Sequence, residues 1–430
     1  MAPLALAQDI TGSIVGLVRD SGGASIAGAM VTIKDTDKNV VVRTVTTNSE
    51  GAYSAPLLPV GHYSVTVEAP NFKKFSRTNI ELNVNARLTV DATLEVGQVT
   101  EVVQVESGAL QVELQTATQS GLISGAEVRE LPLNNRNYLQ LLTLMPGVSS
   151  GASDQLYIGV TNPFGQTNTV SFAVNGGRNS ENNYTIDGAD NIDRGSNLTL
   201  LNYPSVDAIS EVKVLRNHYS AEYGRDAAGQ VNVVTKSGTS QFHGGAYEFF
   251  RNDVLNANPF LTNRDHTLGL DGDGKAKRAP LRYNNFGYFI GGPVFIPGVY
   301  NEAKNKTFFF FSQEFRRVIT YSNFIASVPT AAERQGIFSS PVCLAVSNGA
   351  CTQTTTQIAN IDPTAAAYIK DIYSKIPLPN AGTNTLNSSV GSVYNNRQDL
   401  LRIDHSFNEK YTVAVLDLST DQLEFLTVPR

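Results

Sequence analysis

The stretch from Ile209 to Gly238 reads ISEVKVLRNHYSAEYGRDAAGQVNVVTKSG and contains two strand-like runs around a centre that is poor in apolar side chains. The runs EVKVL and QVNVVT both alternate apolar and polar residues, which predicts two β-strands. Between them, AEYGRDAAG carries two glycines, charges of both signs and small residues. An ordinary soluble core has no need of such a segment, so the strands are expected to belong to a domain with a polar surface.

Composition and charge limit the class of protein. The chain has 430 residues, enough for two or three domains, with no tryptophan and three methionines. Valine, threonine, serine, asparagine and glycine are abundant, which favours mainly β-structure with many turns. A formal net charge of -6 provides no overall basic field, so no nucleic acid partner is expected.

The N-terminal residues MAPLALAQDI carry a small-x-small pattern at Ala5-Leu6-Ala7 that fits a signal-peptidase site. Because the positive and apolar regions of a complete signal peptide are missing, residues 1–9 are interpreted as a signal-peptide remnant whose beginning lies outside this chain. An ordinary chain start is the alternative. No stretch approaches the roughly 20 apolar residues of a membrane-spanning helix.

Residues 10–97 contain short alternating runs separated by turn signals such as SGG at 21–23 and NSEG at 48–51. Their spacing predicts about seven antiparallel strands in two packed sheets. Core candidates are Val15, Val31, Ile33, Val45, Tyr53, Tyr63, Val65 and Val67.

The segments GLVRDSGGASIAGAMVTI, TTNSEGAYSAPLLPVGHYSVTVEAPNFKK and VDATLEVG resemble the carboxypeptidase regulatory-like domain. The resemblance implies a transthyretin-like β-sandwich and no protease activity. A spacer or docking module is the favoured role. Sugar binding is the alternative, because some relatives share a fold with carbohydrate-binding modules.

Residues 120–240 begin with two helix signals. Ser124 and Glu127 form a predicted capping box, and a proline ends that helix. The run RNYLQLLTLMPG predicts a second helix that ends at the Pro-Gly pair of 146–147, and a polar loop follows to about position 169. The strands VSFAVNGG and NYTIDG then lead to the stretch quoted first.

Three ordered segments resemble the plug domain of TonB-dependent outer-membrane receptors, in particular the large Oar-like proteins. They are LPLNNRNYLQLLTLMPGV, FAVNGGRNSENNYTIDGADNID and the stretch from 209 to 238. The resemblance implies a small α/β domain inside a hydrated pore, with a polar surface and loose packing to the wall. Residues expected to form the plug motif or to contact the lumen are Arg136, Arg178, Asp187, Tyr223, Gly224 and Arg225. The arginines can meet carboxylates across the lumen, and the glycine permits conformations closed to other residues.

Residues 98–119 are polar and lack helical periodicity, which predicts an extended linker. In the family resembled, this linker holds the TonB box, a segment that adds a strand to TonB of the TonB–ExbB–ExbD energy-transducing complex. Its expected position is Glu101, Val102, Val103, Gln104 and Val105. The last strand of the sandwich is an equal alternative for these residues.

Residues 241–430 alternate apolar and polar residues over segments of strand length. In SQEFRRVIT, one face holds Ser312, Glu314 and Arg316 and the other holds Phe315, Ile319 and Tyr321; in LLRIDHSF, Arg402, Asp404 and Ser406 oppose Leu401, Ile403 and Phe407. This pattern is typical of antiparallel transmembrane β-strands with a polar lumen, and the runs YEFF and FFFF suit lipid contact. A soluble sheet with one wet face is the alternative.

The length of this last part predicts an incomplete barrel. A pore that holds a plug needs about 22 strands, each of about ten residues plus a turn. Residues 241–430 supply roughly a quarter to a half of that length, and a bilayer does not tolerate open sheet edges. The chain is therefore interpreted as a fragment or a shortened reading frame, and its end, YTVAVLDLSTDQLEFLTVPR, is not expected to continue the barrel strands.

Cys343 and Cys351 flank a turn-like SNG, which predicts a disulfide and an oxidising compartment, with free thiols as the alternative. GLDGDGKA is not a P-loop, because Ala276 stands where Ser or Thr would hold magnesium. DGADNID lacks the spacing of a calcium loop. Scattered histidines and the absence of a nucleophile elbow predict no enzyme, no cofactor and no metal site.

The sequence therefore favours a receptor of the Gram-negative outer membrane with a periplasmic N-terminal domain. It is expected to contact outer-membrane lipid, to bind an unknown extracellular ligand, with carbohydrate slightly favoured, and to import that ligand with energy from TonB. The alternative is an Oar-like structural or adhesive surface protein that keeps the fold and imports nothing.

Overall fold

The computed structural model describes residues 10–97, 102–106, 116–133, 136–150, 170–266, 269–380, 382–408 and 412–423. The chain divides into a larger compact unit of residues 1–249, 285–316 and 395–423 and a smaller one of residues 250–284, 317–394 and 424–430. The predicted signal-peptide remnant, Glu101 and the loop from 151 to 169 lie outside the described residues.

The first domain of the larger unit is a β-sandwich. Its strands are β1 (Gly12–Asp20), β2 (Met30–Asp35), β3 (Val40–Thr46), β4 (Ala52–Leu58), β5 (Gly61–Glu68), β6 (Lys74–Leu82), β7 (Arg87–Thr89), β8 (Ala92–Leu94) and β9 (Val102–Glu106). One sheet has the order β4-β1-β7, with β8 also paired to β1, and the other has the order β3-β2-β5-β6-β9.

The sandwich core lies between the two sheets. Six of the predicted core residues belong to it, namely Val31, Ile33, Tyr53, Tyr63, Val65 and Val67. Val45 is only partly buried against this core, and Val15 is buried outside it. The prediction of purely antiparallel strands was wrong, because β7 and β8 pair in parallel with β1, and β9 pairs in parallel with β6. After β6 the chain crosses to the first sheet, where β7 and β8 run in the same direction as β1. It then returns to the second sheet, where β9 runs in the same direction as β6.

The second domain is a small α/β domain. Its elements are β10 (Gln119–Ser124), α1 (Gly125–Glu130), a 3-10 helix at Tyr138–Leu144, β11 (Val148–Ser150), β12 (Phe172–Val174), β13 (Asn182–Ile186), β14 (Ala189–Asp190), β15 (Ile209–Asn217) and β16 (Gly229–Thr235), with two further 3-10 turns at Asn179–Glu181 and Val206–Ala208. The main sheet has the order β10-β15-β16-β13-β14. Its apolar face packs on α1 and on the first 3-10 helix to form one core.

The two helix predictions had different outcomes. The capping box is present, since Ser124 Oγ accepts from the Glu127 backbone N–H while the Glu127 carboxylate accepts from the Ser124 N–H. The run RNYLQLLTLMPG forms a 3-10 helix and not an α-helix. The helix has only seven residues, and 3-10 geometry is found mainly in short segments of this kind.

The remaining strands and helices are β17 (His243–Asn252), α2 (Phe260–Asp265), β18 (Arg282–Pro293), β19 (Thr307–Ser327), β20 (Ile337–Ser347), β21 (Ala350–Gln357), α3 (Pro363–Asp371), β22 (Thr385–Ser406) and β23 (Thr412–Leu423), with 3-10 turns at Asp253–Leu255, Glu333–Gln335 and Tyr373–Lys375. Five of these strands form a sheet in the order β17-β18-β19-β22-β23. The expectation that the end of the chain leaves the strand pattern was wrong, because β23 pairs with β22 along twelve positions, from Asn395↔Leu423 to Ser406↔Thr412.

The predicted alternation is present on this sheet. In the larger unit, Glu314 and Arg402 are buried on one face, whereas Leu401 and Ile403 are 39% and 38% exposed on the other. The run of phenylalanines is divided in the same way, with Phe308 and Phe310 fully buried. Only half of that run is therefore available for the lipid contact that the sequence predicted.

The smaller unit contains α2, α3 and the hairpin formed by β20 and β21. Cys343 and Cys351 are joined by a disulfide across this hairpin, with 5.8 Å between their Cα atoms. Arg334 Nη1 donates to the carbonyl oxygens of Tyr373 (2.6 Å) and Ile376 (3.1 Å). These bonds join the segment after α3 to the 3-10 turn at Glu333–Gln335. Among the described helices, none is long and apolar enough to cross a membrane.

Candidate functional site

Arg136 connects the α/β domain to the five-stranded sheet. Its backbone has a φ of 54°, and its buried guanidinium pairs with Asp207 of the same domain. The guanidinium also lies over the rings of Tyr247 (5.0 Å) and Phe249 (4.1 Å) in β17. A planar cation can bind a carboxylate at its edge and aromatic rings on its faces. Arg136 therefore contacts aromatic rings of the five-stranded sheet, and the carboxylate with which it pairs belongs to its own domain.

Glu314 of β19 is the acid on the sheet side of this cluster. It is 2% exposed and accepts hydrogen bonds from Ser205 Oγ (2.8 Å) and from Tyr247 Oη (2.9 Å). Arg316 Nη2 lies 2.8 Å from its other carboxylate oxygen. Because a buried carboxylate is costly unless it is paired and hydrogen-bonded, these partners hold the segment around Ser205 against β19.

A second cluster surrounds Arg402 of β22. Its Nη1 lies 3.4 Å from Oδ1 of Asp187 and donates to the carbonyl of Thr235 (3.0 Å), and both of these residues belong to the α/β domain. Its Nη2 lies 3.1 Å from Oδ1 of Asp404, and Ser237 Oγ donates to Oδ2 of the same carboxylate (2.7 Å). One guanidinium thus bridges a carboxylate of each domain inside a buried site.

The sandwich contacts the start of the five-stranded sheet through the turn between β2 and β3. The backbone N–H and Oγ of Ser240 both donate to the carbonyl of Asp37, each at 2.9 Å. Lys38 Nζ lies 3.9 Å from Oδ2 of Asp404. The second cluster is therefore bordered by residues of all three domains.

The sandwich also contacts the α/β domain at Glu211 of β15. This side chain accepts from the backbone N–H of Val84 at 2.6 Å, and the residue is 4% exposed. Burial raises the pKa of Glu211 to about 7, although the Val84 N–H and Lys213 act in the opposite direction. Close by, Tyr223 Oη donates to Oδ1 of Asn85. Tyr223 of the quoted stretch is thus a contact to the sandwich.

Of the remaining residues singled out from the sequence, Gly224 and Arg225 lie in the loop between β15 and β16, and Arg178 lies between β12 and β13. Arg225 has a φ of 67° and pairs with Asp190 within the α/β domain, and the Arg178 side chain is 86% exposed and lies 4.0 Å from Glu181. The described ion pairs of these two arginines lie within the α/β domain, and the expectation that they meet carboxylates across a lumen stays a prediction. The conformation predicted for Gly224 was also wrong, because its φ is not positive, and the left-handed residue of this loop is the arginine that follows.

Small residues are nevertheless required beside this loop. The backbone N–H groups of Ala227 and Ala228 both donate to the carbonyl of Glu181, at 3.1 and 3.0 Å. A Cβ added at Gly229 would lie 2.8 Å from Val174, closer than real Cβ contacts allow. The small side chains therefore permit close approach of neighbouring backbone segments.

Four of the five residues predicted as a TonB box, Val102 to Val105, lie in β9, and the fifth, Glu101, lies outside the described residues. Val102 to Val105 pair in parallel with Lys74 to Arg77 of β6, so the structure has them as the edge strand of the sandwich. This was the alternative interpretation of the sequence. Strand pairing in the sandwich and strand addition to a partner both use an extended backbone, and pairing along one edge leaves the other edge open.

Several residues of these clusters were missed as site residues by sequence reasoning. The signal for Glu314, Arg402 and Asp404 was present, since the alternation placed them on the polar strand face. The signal for Glu211 was absent, because its burial depends on the contact with the sandwich. The signal for Asp207 was absent, because its partner Arg136 is distant in the sequence. Among the described residues, no group of three or more His, Cys, Asp or Glu side chains has the arrangement of a metal site.

Three family models match successive parts of the chain. The carboxypeptidase regulatory-like domain matches residues 13–95, the TonB-dependent receptor plug domain matches residues 112–231 and the outer membrane beta barrel domain matches residues 234–422. Sandwich, α/β domain and five-stranded sheet follow the same order along the chain.

Similar proteins were found among curated sequences and solved structures. The TonB-dependent transporter Oar of Myxococcus xanthus is 25% identical over 298 residues, which cover 67% of this chain and 27% of that protein. The chain thus spans about a quarter of the length of this relative. The outer membrane transporter YddB from Escherichia coli is 11% identical with a TM-score of 0.43, covering 70% of this chain and 33% of that one. Catechol 1,2-dioxygenase from Pseudomonas arvilla C-1 is 13% identical with a TM-score of 0.18, covering 21% of this chain and 54% of that one.

Proposed function

We propose that the chain, which has the domain content of a TonB-dependent receptor of the Oar-like type, serves energy-coupled import of an extracellular ligand across the Gram-negative outer membrane. In this proposal the sandwich lies in the periplasm, β9 is the segment that binds TonB, and the α/β domain is the plug that moves. Oligosaccharides are the proposed ligand class, because some relatives of the carboxypeptidase regulatory-like domain share a fold with carbohydrate-binding modules.

The observation that carries the proposal is the bridge of Arg402 between Asp187 of the plug and Asp404 of the barrel sheet. Contacts between these domains are ionic and hydrogen-bonded at this point. Such contacts can be exchanged for water when the plug shifts, whereas a large apolar interface would resist the movement. The polar attachment therefore suits a plug that is held in place and then displaced.

The test compares uptake in the native host with and without the gene. Labelled maltoheptaose, xylohexaose and cellohexaose are supplied separately, with and without a protonophore, and a third strain carries the gene without residues 98–106. We expect gene-dependent, protonophore-sensitive uptake of at least one sugar and its loss in the third strain. Uptake that survives the deletion contradicts the assignment of β9, and equal uptake in all strains with lost surface attachment supports an adhesive protein instead.

A further inference from the structure

Two turns at one end of the sandwich contact the other two domains. The end of β2 lies beside the start of β5 in the pair Asp35↔Tyr63, and the end of β6 lies beside it in the pair Gly61↔Leu82. The turn after β2 and the turn after β6 therefore lie at the same end of the sandwich. The first turn contacts the barrel sheet, whereas the second contacts the plug.

The turn after β2 is attached to the barrel side. The backbone N–H and the hydroxyl of Ser240, just before β17, both donate to the carbonyl of Asp37 at 2.9 Å. Lys38 Nζ lies 3.9 Å from Oδ2 of Asp404 in β22 and 5.5 Å from the centre of the Phe308 ring in β19. The turn thus contacts two barrel strands and the segment that leads into a third.

The turn after β6 is attached to the plug at two points. The backbone N–H of Val84 donates to the carboxylate of Glu211 in β15 at 2.6 Å. The side-chain oxygen of Asn85 accepts from the hydroxyl of Tyr223, in the loop between β15 and β16. Adjacent residues of one turn therefore bind the start of a plug strand and the loop that follows this strand.

Both turns are also fixed to the body of the sandwich. The backbone N–H and the Nδ1 atom of His62, in β5, lie 3.1 and 2.9 Å from Oδ2 of Asp37. In the second turn, the N–H of Asn85 donates to the carbonyl of Thr11 at 3.0 Å. Each turn therefore moves with the sandwich as one body. Two contacts on one body reinforce each other, because either contact holds the sandwich in position for the other.

We propose that the sandwich is a lock that keeps the plug attached to the barrel sheet and opens only when both turns detach together. The plug is then displaced after the sandwich has left, and not independently of it. In the rival role, that of a spacer, each contact opens by itself and the plug opens without regard to the sandwich. The lock goes beyond the proposed function and holds whether or not the chain imports a ligand.

Two backbone N–H groups report on the two contacts separately, that of Val84 on the plug side and that of Ser240 on the barrel side. Their hydrogen–deuterium exchange is measured in the purified full chain in detergent. Asn85→Gly removes the acceptor of the Tyr223 hydroxyl and tolerates the φ of 55° at this position. We expect this plug-side change to speed exchange at Ser240 about threefold or more, because the lost hydrogen bond favours joint detachment.

The converse variant is Lys38→Met, which removes the barrel-side cation and should speed exchange at Val84 by a similar factor. Matched controls are Asn71→Gly, at an exposed position with a φ of 68° at the other end of the sandwich, and Lys74→Met, whose ion pair with Glu68 is internal to the sandwich. Neither control should change either rate. Exchange that responds only to the variant on its own side overturns the lock.

A disulfide tests whether the plug depends on the sandwich. Segments joined by a backbone hydrogen bond have Cα atoms about 5.5 Å apart, which a disulfide spans, so Asp37→Cys with Ser240→Cys fixes the barrel-side contact. The control, Thr66→Cys with Ser76→Cys, joins β5 to β6 inside the sandwich. Because reduction also opens the native disulfide of the smaller unit, the control corrects for that effect.

The reporter for the plug is the 3-10 turn Val206–Ala208, which Ser205 joins to Glu314 of the barrel sheet at 2.8 Å. We expect exchange of this turn to slow about threefold or more in the oxidised test variant, to recover on reduction and to stay constant in the control. Equal exchange of the oxidised and reduced test variant overturns the lock. Neither result bears on import, which the uptake assay tests separately.

Discussion

The guanidinium of Arg402 lies 3.4 Å from the carboxylate of Asp187, and this ion pair joins the barrel sheet to the plug. Both side chains are 10% exposed, so water screens the pair only weakly. The same guanidinium binds Asp404 on its own strand. Arg402 therefore lies between two acidic side chains, and its loss would remove the cation that pairs with Asp187.

Replacement of Arg402 by leucine should destabilise the attachment of the plug. Asp187 loses its cation, whereas Asp404 keeps Lys38 at 3.9 Å and the hydroxyl of Ser237. Breaking a buried ion pair from one side costs about 3–5 kcal/mol. Thermal unfolding and limited proteolysis of the plug measure the effect. The matched control is Arg178→Leu, whose exposed pair with Glu181 contributes little; equal effects of the two variants would show that the bridge has no special role.

A second prediction concerns two glycines near the loop between β15 and β16. An alanine at Gly229 places its Cβ 2.8 Å from the Val174 side chain, which should cost about 1–3 kcal/mol of folding free energy. An alanine at Gly224 meets nothing within 4 Å, so it should leave stability unchanged or slightly raised. Denaturant titration compares the two, and Val174→Ala should rescue the first only in part, because it removes the γ-methyl groups and keeps a Cβ at 3.0 Å. Equal losses at both glycines would contradict the steric explanation.

These glycines illustrate what the sequence could and could not predict. The small residues of AEYGRDAAG are visible in the sequence, and Ala227, Ala228 and Gly229 allow close backbone approach in the structure. The sequence did not show which residue of the loop adopts the left-handed conformation, because φ depends on the path of the whole loop. Here Arg225 takes the left-handed conformation.

The same limit applies to charged residues. Strand alternation placed Glu314 and Arg402 on the polar face, because the period of two is local information. It gave no partner for either residue, since Ser205 and Asp187 come from segments more than a hundred positions away. Domain order could be read from sequence, whereas the clusters that hold the domains together depend on tertiary packing.

Glu211 should make stability depend on pH. Its pKa is raised from 4.5 to about 7 by burial, with opposing effects of the Val84 N–H and Lys213 and a further increase from Glu81. The folded state therefore binds the proton more tightly than the unfolded state. The free energy of unfolding should fall by about 3 kcal/mol as pH rises from about 4.5 to about 7, and stay level above that range.

The variant Glu211→Gln tests this dependence, because its amide oxygen can still accept from Val84 while the group no longer titrates. Calorimetric unfolding is followed from pH 5 to pH 8 for both proteins. The difference between them removes the contribution of other groups, such as His62, whose pKa is raised by its hydrogen bond to Asp37. Parallel pH profiles of variant and wild type would contradict the assignment.

A last prediction compares two arginine–aspartate pairs of the plug. Arg136 and Asp207 are buried together, and the arginine also contacts Tyr247 of the barrel sheet. Arg225 is 45% exposed and its partner Asp190 also pairs with Arg194. Burial strengthens the first pair, whereas solvent and a redundant partner weaken the second. Double-mutant cycles with alanine should therefore give about 1–3 kcal/mol of coupling for the first pair and less than about 1 kcal/mol for the second.

The cycles also bear on how the plug is held. If the coupling of Arg136 with Asp207 drops when Tyr247 is replaced by leucine, the aromatic ring fixes the guanidinium for its carboxylate, and the plug's own ion pair depends on the barrel sheet. If the coupling is unchanged, the pair is internal to the plug and survives displacement. We expect the first result, because the Tyr247 hydroxyl donates a hydrogen bond to Glu314 at 2.9 Å. This bond holds the Tyr247 ring over the guanidinium of Arg136.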